Sequence, residues 1–235
     1  MFFDAYPRFY GTAEAGWGRG RLNLRHEAIV GENHDIFPGS RVLDLACHDG
    51  RWSLAALMAG ASEVVGIEAR EELAAAAREN LAHYCGQEGP YRFVSGDVFD
   101  VLARERFQFD VVLCLGFLYH TLRYNELMRR IRDVNPRYLI VDTAITRGEK
   151  RPQVQLRLEH DERARDAVDD PYSFDGTTIV GRPSLSALEL LLDTYGFAIE
   201  RLADWPAILR DNRDVARVGQ YASGARVTAR CFSKL

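Results

Sequence analysis

From residue 41 onward, short blocks dominated by apolar residues alternate with longer stretches of helix-forming composition. RVLDLA (41–46), EVVGIEA (63–69), YRFVSGD (91–97), FDVVLCLG (109–116) and RYLIVDT (137–143) have the length and content of strands. Between them, RWSLAALMAG (51–60), REELAAAARENLAHYC (70–85) and YNELMRRIRDV (124–134) predict helices, the second through its Ala, Leu, Glu and Arg content. Strands apolar along their length, each followed by a helix, require a parallel sheet covered on both faces. Further on, PSLSALELLLDTYGF predicts a helix with Ser184 as N-cap and Gly196 as its stop. FAIERLADW and ARVTARCFSKL then predict two strands that close the sheet as an antiparallel pair. The expected fold class is therefore α/β, a doubly wound, mostly parallel seven-stranded sheet.

Two segments depart from the alternation. Residues 1–39 are rich in aromatics and glycine and run through HEAIV to a stop at FPGS, which predicts an N-terminal helical cap ahead of a main domain over 40–235. Residues 146–182 carry many charges, HDERARDAVDDPYSFDG among them, and predict an insertion or lid near the mouth of the sheet.

Composition narrows the function classes. A chain of 235 residues, 47% hydrophobic, can bury one substantial core. A net charge of −4 sets a low expectation for nucleic acid, although a local basic groove is compatible with it. No apolar run is long enough to span a membrane, and MFFDAYPRFY lacks the basic start and apolar centre of a signal peptide, so a soluble, cytoplasmic protein is expected. Cys47, Cys85, Cys114 and Cys231 are widely spaced and form no CxxC pair, which points to neither a disulfide framework nor a zinc site.

In a doubly wound sheet the ligand site lies beyond the carboxyl ends of the strands. There the chain reads VLDLACHDG, with Asp44, Ala46, His48 and Gly50 at two-residue spacing. Ala46 and His48 can keep a tight strand-to-helix turn, but they hinder the close backbone approach that a pyrophosphate needs. A nucleoside without phosphates needs less of it. Glu68, 24 positions after Asp44, ends the second strand, where a carboxylate can accept from both ribose hydroxyls. Asp97 follows the third strand and is placed for an adenine amino group, or else serves as a helix N-cap.

With these residues in view, the chain resembles the class I S-adenosylmethionine (SAM)-dependent methyltransferases over about residues 40–235. VLDLACHDG, GIEA, SGDVFD and FDVVLCLGFLYH match their successive motifs. The resemblance implies SAM as cofactor. It further implies that Asp44, Ala46 and Gly50 line its methionine and ribose, Glu68 holds the ribose, Asp97 and Val98 hold adenine, and Leu115 backs the methionine side. Whether the His48 ring only shapes the turn or also faces the methyl donor stays open. In the cap, Tyr6, Tyr10, Trp17, Arg21 and Arg25 are candidates to close over the cofactor, Arg25 as partner of the methionine carboxylate.

Transfer to a hydroxyl needs an aligned acceptor and a base. His120, in GFLYHT just past the fourth strand, is the candidate base, and His160 in the insertion is a second imidazole that could reach the acceptor. A divalent metal such as Mg²⁺ could act instead, held by Asp142 with Asp169 and Asp170. GFLYHT and RPSLSALELLLDTYGF also resemble transferases that modify the wobble uridine of tRNA through a carboxymethyl donor. The acidic chain and compact cap look more like small-molecule O-methyltransferases, sugar O-methyltransferases included. The expected partner is a small-molecule acceptor, with a sugar favoured; a homodimer is open, and a non-catalytic SAM-binding regulatory module is the alternative from another class.

Overall fold

The computed structural model describes residues 1–12, 18–160, 172–212 and 218–235. Two 3-10 turns, Phe2–Ala5 and Pro7–Tyr10, lead to α1 (Gly18–Ile29) and a further 3-10 segment, Gly31–Ile36. Then β1 (Arg41–Leu45), α2 (Arg51–Met58), β2 (Glu63–Glu68), α3 (Glu71–Cys85), β3 (Tyr91–Ser95), α4 (Val98–Arg104) and β4 (Val111–Leu115) follow in alternation. A 3-10 turn, Leu118–His120, precedes α5 (Tyr124–Val134) and β5 (Tyr138–Ala144). The remaining elements are β6 (Val154–His160), β7 (Thr177–Pro183), α6 (Leu185–Thr194), β8 (Phe197–Leu202), α7 (Trp205–Asp211), α8 (Gly219–Ala222) and β9 (Arg226–Ser233).

Seven strands form one sheet in the order β3-β2-β1-β4-β5-β9-β8. The first five run parallel, and β9 pairs antiparallel with both β5 and β8. The strand order reverses between β1 and β4, so the crevice of a doubly wound fold opens at their carboxyl ends. The expected seven-stranded sheet and its closing antiparallel pair are present.

Alternation along the strands sends apolar residues to both faces. Leu43, Leu45, Val65, Ile67, Val112 and Val141 pack with Phe99, Leu127, Ile131 and Leu188 of α4, α5 and α6. Val42, Val64, Leu113 and Ile140 pack on the other side with Phe3, Phe9, Trp52 and Leu81. A third cluster joins Leu24 and Ala28 of α1 to Trp205, Ile208 and Tyr221 near the C-terminus.

Local chemistry sets the element ends. Ser184 accepts from the Ala187 amide and caps α6, and Gly196, at φ 77°, ends the turn after it, as expected. Two assignments needed tertiary context. Residues 98–104 form α4, capped by Asp97, and Trp205 starts α7 where a strand was expected to continue. The 146–182 segment contributes a separate antiparallel ribbon of β6 and β7. Thr146 anchors its base at the carboxyl end of β5, donating from its amide to the Pro183 carbonyl and from its hydroxyl to the Arg182 carbonyl.

Candidate functional site

The turn after β1 adopts the backbone that its sequence predicted to be demanding. Ala46, His48 and Gly50 have φ of 52°, 55° and 79°. A side chain at Gly50 would bring a Cβ to 2.8 Å from Leu81 Cδ1 and 3.1 Å from Ala77 Cβ, so α3 sits directly behind the turn. Glu68, 5% exposed, ties this turn to β2: one carboxylate oxygen accepts from the His48 amide at 2.9 Å and the other from the Arg70 amide at 3.1 Å. Each oxygen keeps acceptor capacity beyond that one bond.

Asp44 is buried beside them. Its Oδ2 accepts from the Ser53 hydroxyl at 2.7 Å, while its Oδ1 has no partner. Burial pushes its carboxyl up to about 7. The neighbouring Asp49 is held well below the usual carboxylate range: burial opposes this, but the Arg51 guanidinium, 2.7 Å away, and His48 outweigh it. The His48 ring leans on this pair, with Nδ1 3.2 Å from Arg51 Nη2 and 3.5 Å from Asp49 Oδ1. The His48 ring thus packs against the first residues after the turn.

Asp97 takes the capping role, its Oδ1 accepting from the Phe99 and Asp100 amides at 2.9 and 3.1 Å. Burial raises its carboxyl. Val98, the first residue of α4, and Leu115, at the end of β4, are buried at 3% and 8% exposure. Arg25 reaches across from α1 to the end of β5, where its Nη2 lies 3.1 Å from Asp142 Oδ1 and its guanidinium stacks over Trp52. Its Nε is buried without a partner. Arg21 faces the Tyr221 ring, Tyr6 and Tyr10 pack with the N-terminal aromatic cluster, and Trp17 lies outside the described residues.

Asp142 is enclosed. Arg226 donates to Oδ1 from Nε at 2.7 Å, Tyr221 donates to Oδ2 at 2.9 Å, and Thr228 donates to Oδ2 at 2.7 Å. Burial alone would push this carboxyl up, but the Arg226 and Arg25 guanidiniums outweigh it and hold it at about 2. Two cations at its oxygens oppose a third, so this carboxylate is built to balance arginines rather than to ligate Mg²⁺. Asp169 and Asp170 lie outside the described residues, and no group of three His, Cys, Asp or Glu side chains among the described residues is arranged to hold a metal.

His120, 7% exposed, ends the 3-10 turn after β4, and its Nδ1 meets Glu159 of β6 at 2.7 Å. The ribbon therefore delivers Glu159 to this imidazole, while His160 points to the opposite face and contacts the Thr177 hydroxyl at 3.0 Å. Tyr119 packs at a tilt against His120, with centroids 4.1 Å apart, and accepts from Arg226 Nη1 at 3.2 Å. Burial would raise this phenol, but Arg226 and His120 outweigh it and bring it down to about 8. Tyr119, Glu159 and Arg226 were not singled out in the sequence. The signal for Glu159 was the period-two alternation of VQLRLEH, which sets Arg157 and Glu159 on one face and His160 on the other.

A switch-point crevice with a three-residue positive-φ turn on β1 and acids at the ends of β2 and β3 defines the class I, SAM-dependent methyltransferase fold. The chain has that fold, and its residues 42–135 match the family model described as a methyltransferase domain. Among solved structures, magnesium protoporphyrin IX methyltransferase from Synechocystis PCC 6803, with bound SAM, superposes with a TM-score of 0.61 at 18% identity, covering 99% of this chain and 91% of that one. A tRNA U34 carboxymethyltransferase of Pseudomonas fluorescens is 26% identical over 180 residues, 73% of this chain and 49% of the relative. A protein of Methanocaldococcus jannaschii named as a ribosomal RNA large subunit methyltransferase is 35% identical over 81 residues, 33% of this chain and 21% of the relative. The chain thus spans half or less of the length of these two relatives. No helix among the described residues is long and apolar enough to cross a membrane.

Proposed function

We propose that the protein transfers a methyl group from SAM to a hydroxyl of a small polar acceptor, a sugar being favoured. The observation that carries this reading is a pair of buried, unmet polar atoms of opposite character at the strand ends: the acceptor Asp44 Oδ1 and the donor Arg25 Nε. Buried polar atoms without partners are uncommon, and a zwitterionic amino-acid group, such as the methionine end of SAM, would satisfy both. Glu68 offers its remaining acceptor capacity to the ribose hydroxyls, the cradle at Ala46, His48 and Gly50 gives room for the ribose and methionine, and Asp97, Val98 and Leu115 line the adenine and methionine sides.

When bound, SAM supplies a methyl group activated by a sulfonium. This chain's residues then have to place a hydroxyl and take its proton. Because Glu159 occupies His120 Nδ1, the Nε2 atom is the nitrogen left to accept that proton. Deprotonation runs through His120 rather than Mg²⁺ in this reading, since Asp142 is already engaged by arginines; EDTA then leaves turnover unchanged. Polar and charged groups around His120, namely Glu159, Tyr119 and the ribbon arginines, favour a polar acceptor over a hydrocarbon one.

Isothermal titration with S-adenosylhomocysteine (SAH) tests the site. Wild-type protein binds, and Glu68→Ala weakens binding by about 10-fold or more through loss of charge-assisted hydrogen bonds; equal affinities refute the assignment. A second reading, modification of the tRNA wobble uridine, draws on the relative that aligns with 73% of this chain. A tRNA gel shift at physiological salt separates the two, and SAH binding without turnover on any acceptor would instead indicate a regulatory module.

A further inference from the structure

The ribbon that brings Glu159 to His120 carries two arginines on the same face. Residues paired across β6 and β7 share a face, so Arg157 opposite Val180, Gln155 opposite Arg182 and Glu159 opposite Thr178 all project with Glu159. Val180 and Thr178 are buried at 5% and 7% exposure, so the β7 side of this face is turned inward and Arg157 extends from it to solvent, whereas Leu156, Leu158 and Ile179 of the other face are open to solvent. Arg157 and Arg182 are diagonal neighbours along the inward face.

No described carboxylate lies within ion-pairing distance of either arginine. Glu159 is committed to His120, and Asp142 to Arg226 and Arg25. The Thr178 hydroxyl, on the same face, is buried without a hydrogen-bond partner. Arg182 is half-buried, and burial with the nearby charges of Arg157 and Arg226 outweighs the favourable fields of Tyr119 and Glu159, so its positive charge is disfavoured on balance. Two like charges held side by side, one of them partly out of water, lose solvation and gain nothing from each other. Arg226 is neutralised by its carboxylate 2.6 Å away; among the described residues Arg157 and Arg182 have no such carboxylate.

We propose that Arg157 and Arg182 form an anion site for the acceptor, which therefore carries a carboxylate or phosphate close to the hydroxyl that faces His120. This rests on the methyl-transfer reading above and narrows its substrate class from polar to anionic. Guanidinium forks suit planar carboxylates and phosphates alike. The unmet Thr178 hydroxyl supplies a further donor on that face, and the anchor of Thr146 on the Arg182 and Pro183 carbonyls holds the site against the end of β5.

The test uses the SAH complex of the full chain and two probes, inorganic phosphate and acetate, titrated at ionic strength matched with chloride. NMR follows the Arg157 and Arg182 Nε–Hε resonances, assigned with R157Q and R182Q. Saturable shifts of both with at least one probe are expected, and the probe that saturates first tells phosphate from carboxylate. R182Q weakens the response to that probe by about 10-fold or more, and R182K, which keeps the charge but loses the fork, by less. Unchanged SAH affinity in the variants shows that they remain folded. Shifts no larger than with chloride alone, or an undiminished response in the R157Q/R182Q double variant, overturn the proposal. Should the protein fail to bind SAH, the methyl-transfer reading falls, while the same titration of the free protein still decides whether the anion site exists.

Discussion

His120 Nδ1 lies 2.7 Å from Glu159 Oε2 and 2.9 Å from Oε1, a contact that spans 39 residues and joins the end of β4 to the ribbon. Burial would lower the pKa of this imidazole, but the hydrogen bond to Glu159 and the negative fields of Tyr119 and Glu159 outweigh it, and the net direction is upward. The carboxylate thus orients the ring and strengthens it as a base at Nε2.

That contact predicts the pH dependence of turnover. The neutral imidazole accepts the proton, so kcat rises with pH through a value above the ordinary histidine range, and Glu159→Gln moves the inflection to lower pH while lowering kcat. The stability linkage has the opposite sense: a raised pKa in the folded state stabilises at low pH, and that contribution is lost as pH rises through it. His120→Ala should cost about 10²–10⁴-fold in kcat with SAH affinity retained. A pH–rate profile of E159Q that overlays the wild type would show that Glu159 does not tune the ring.

Gly50 predicts a packing effect. It combines φ 79° with a Cβ position 2.8 Å from Leu81 Cδ1 and 3.2 Å from Phe93 Cζ. Gly39 has a similar φ of 74° but open space at its Cβ position. Gly39→Ala therefore costs about 1–2 kcal/mol from backbone strain alone, and Gly50→Ala adds about 1–3 kcal/mol of overpacking. Urea unfolding of both variants reads the difference. Titration of G50A with SAH should also show weakened binding, because relief of the clash has to move the β1 turn; equal stability and equal affinity in the two variants would contradict this.

The sheet was readable in the sequence because its strands are apolar along their length and its helices begin and end on residues such as Ser184 and Gly196, whose local chemistry decides the matter. The demanding turn at Ala46, His48 and Gly50 was readable for the same reason, since few residue types accept positive φ. What connects distant segments was not. Asp97 could serve adenine or cap a helix, and only the packed α4 shows the cap in place. Asp142 read as a metal ligand until Arg25 from α1 and Arg226 from β9, 117 and 84 residues away, converged on it. His160 drew attention as an imidazole, but the strand register turns Glu159 inward instead.

The Asp142 network makes a stability prediction whose sign depends on pH. Asp142 and Arg226 are both essentially excluded from solvent, at 0% and 3% side-chain exposure, with Nη2 2.6 Å from Oδ1. Arg226→Met leaves the carboxylate with Arg25, Tyr221 and Thr228, and a buried pair broken on one side costs about 3–5 kcal/mol. In the wild type the carboxyl is held at about 2, below its ordinary 3.8, so its stabilising contribution is present above the higher value and is lost as pH falls towards the lower one. In R226M burial dominates and raises that pKa, so the variant accepts a proton more readily and its deficit against wild type shrinks as pH drops. Urea midpoints at pH 7 and at pH 4.5 should therefore converge. The R226M/D142N double variant, which removes the stranded charge, should recover part of the loss at pH 7. A deficit that is the same at both pH values and undiminished in the double variant would mean that Arg226 stabilises through packing against Tyr119 and Tyr221, not through the carboxylate.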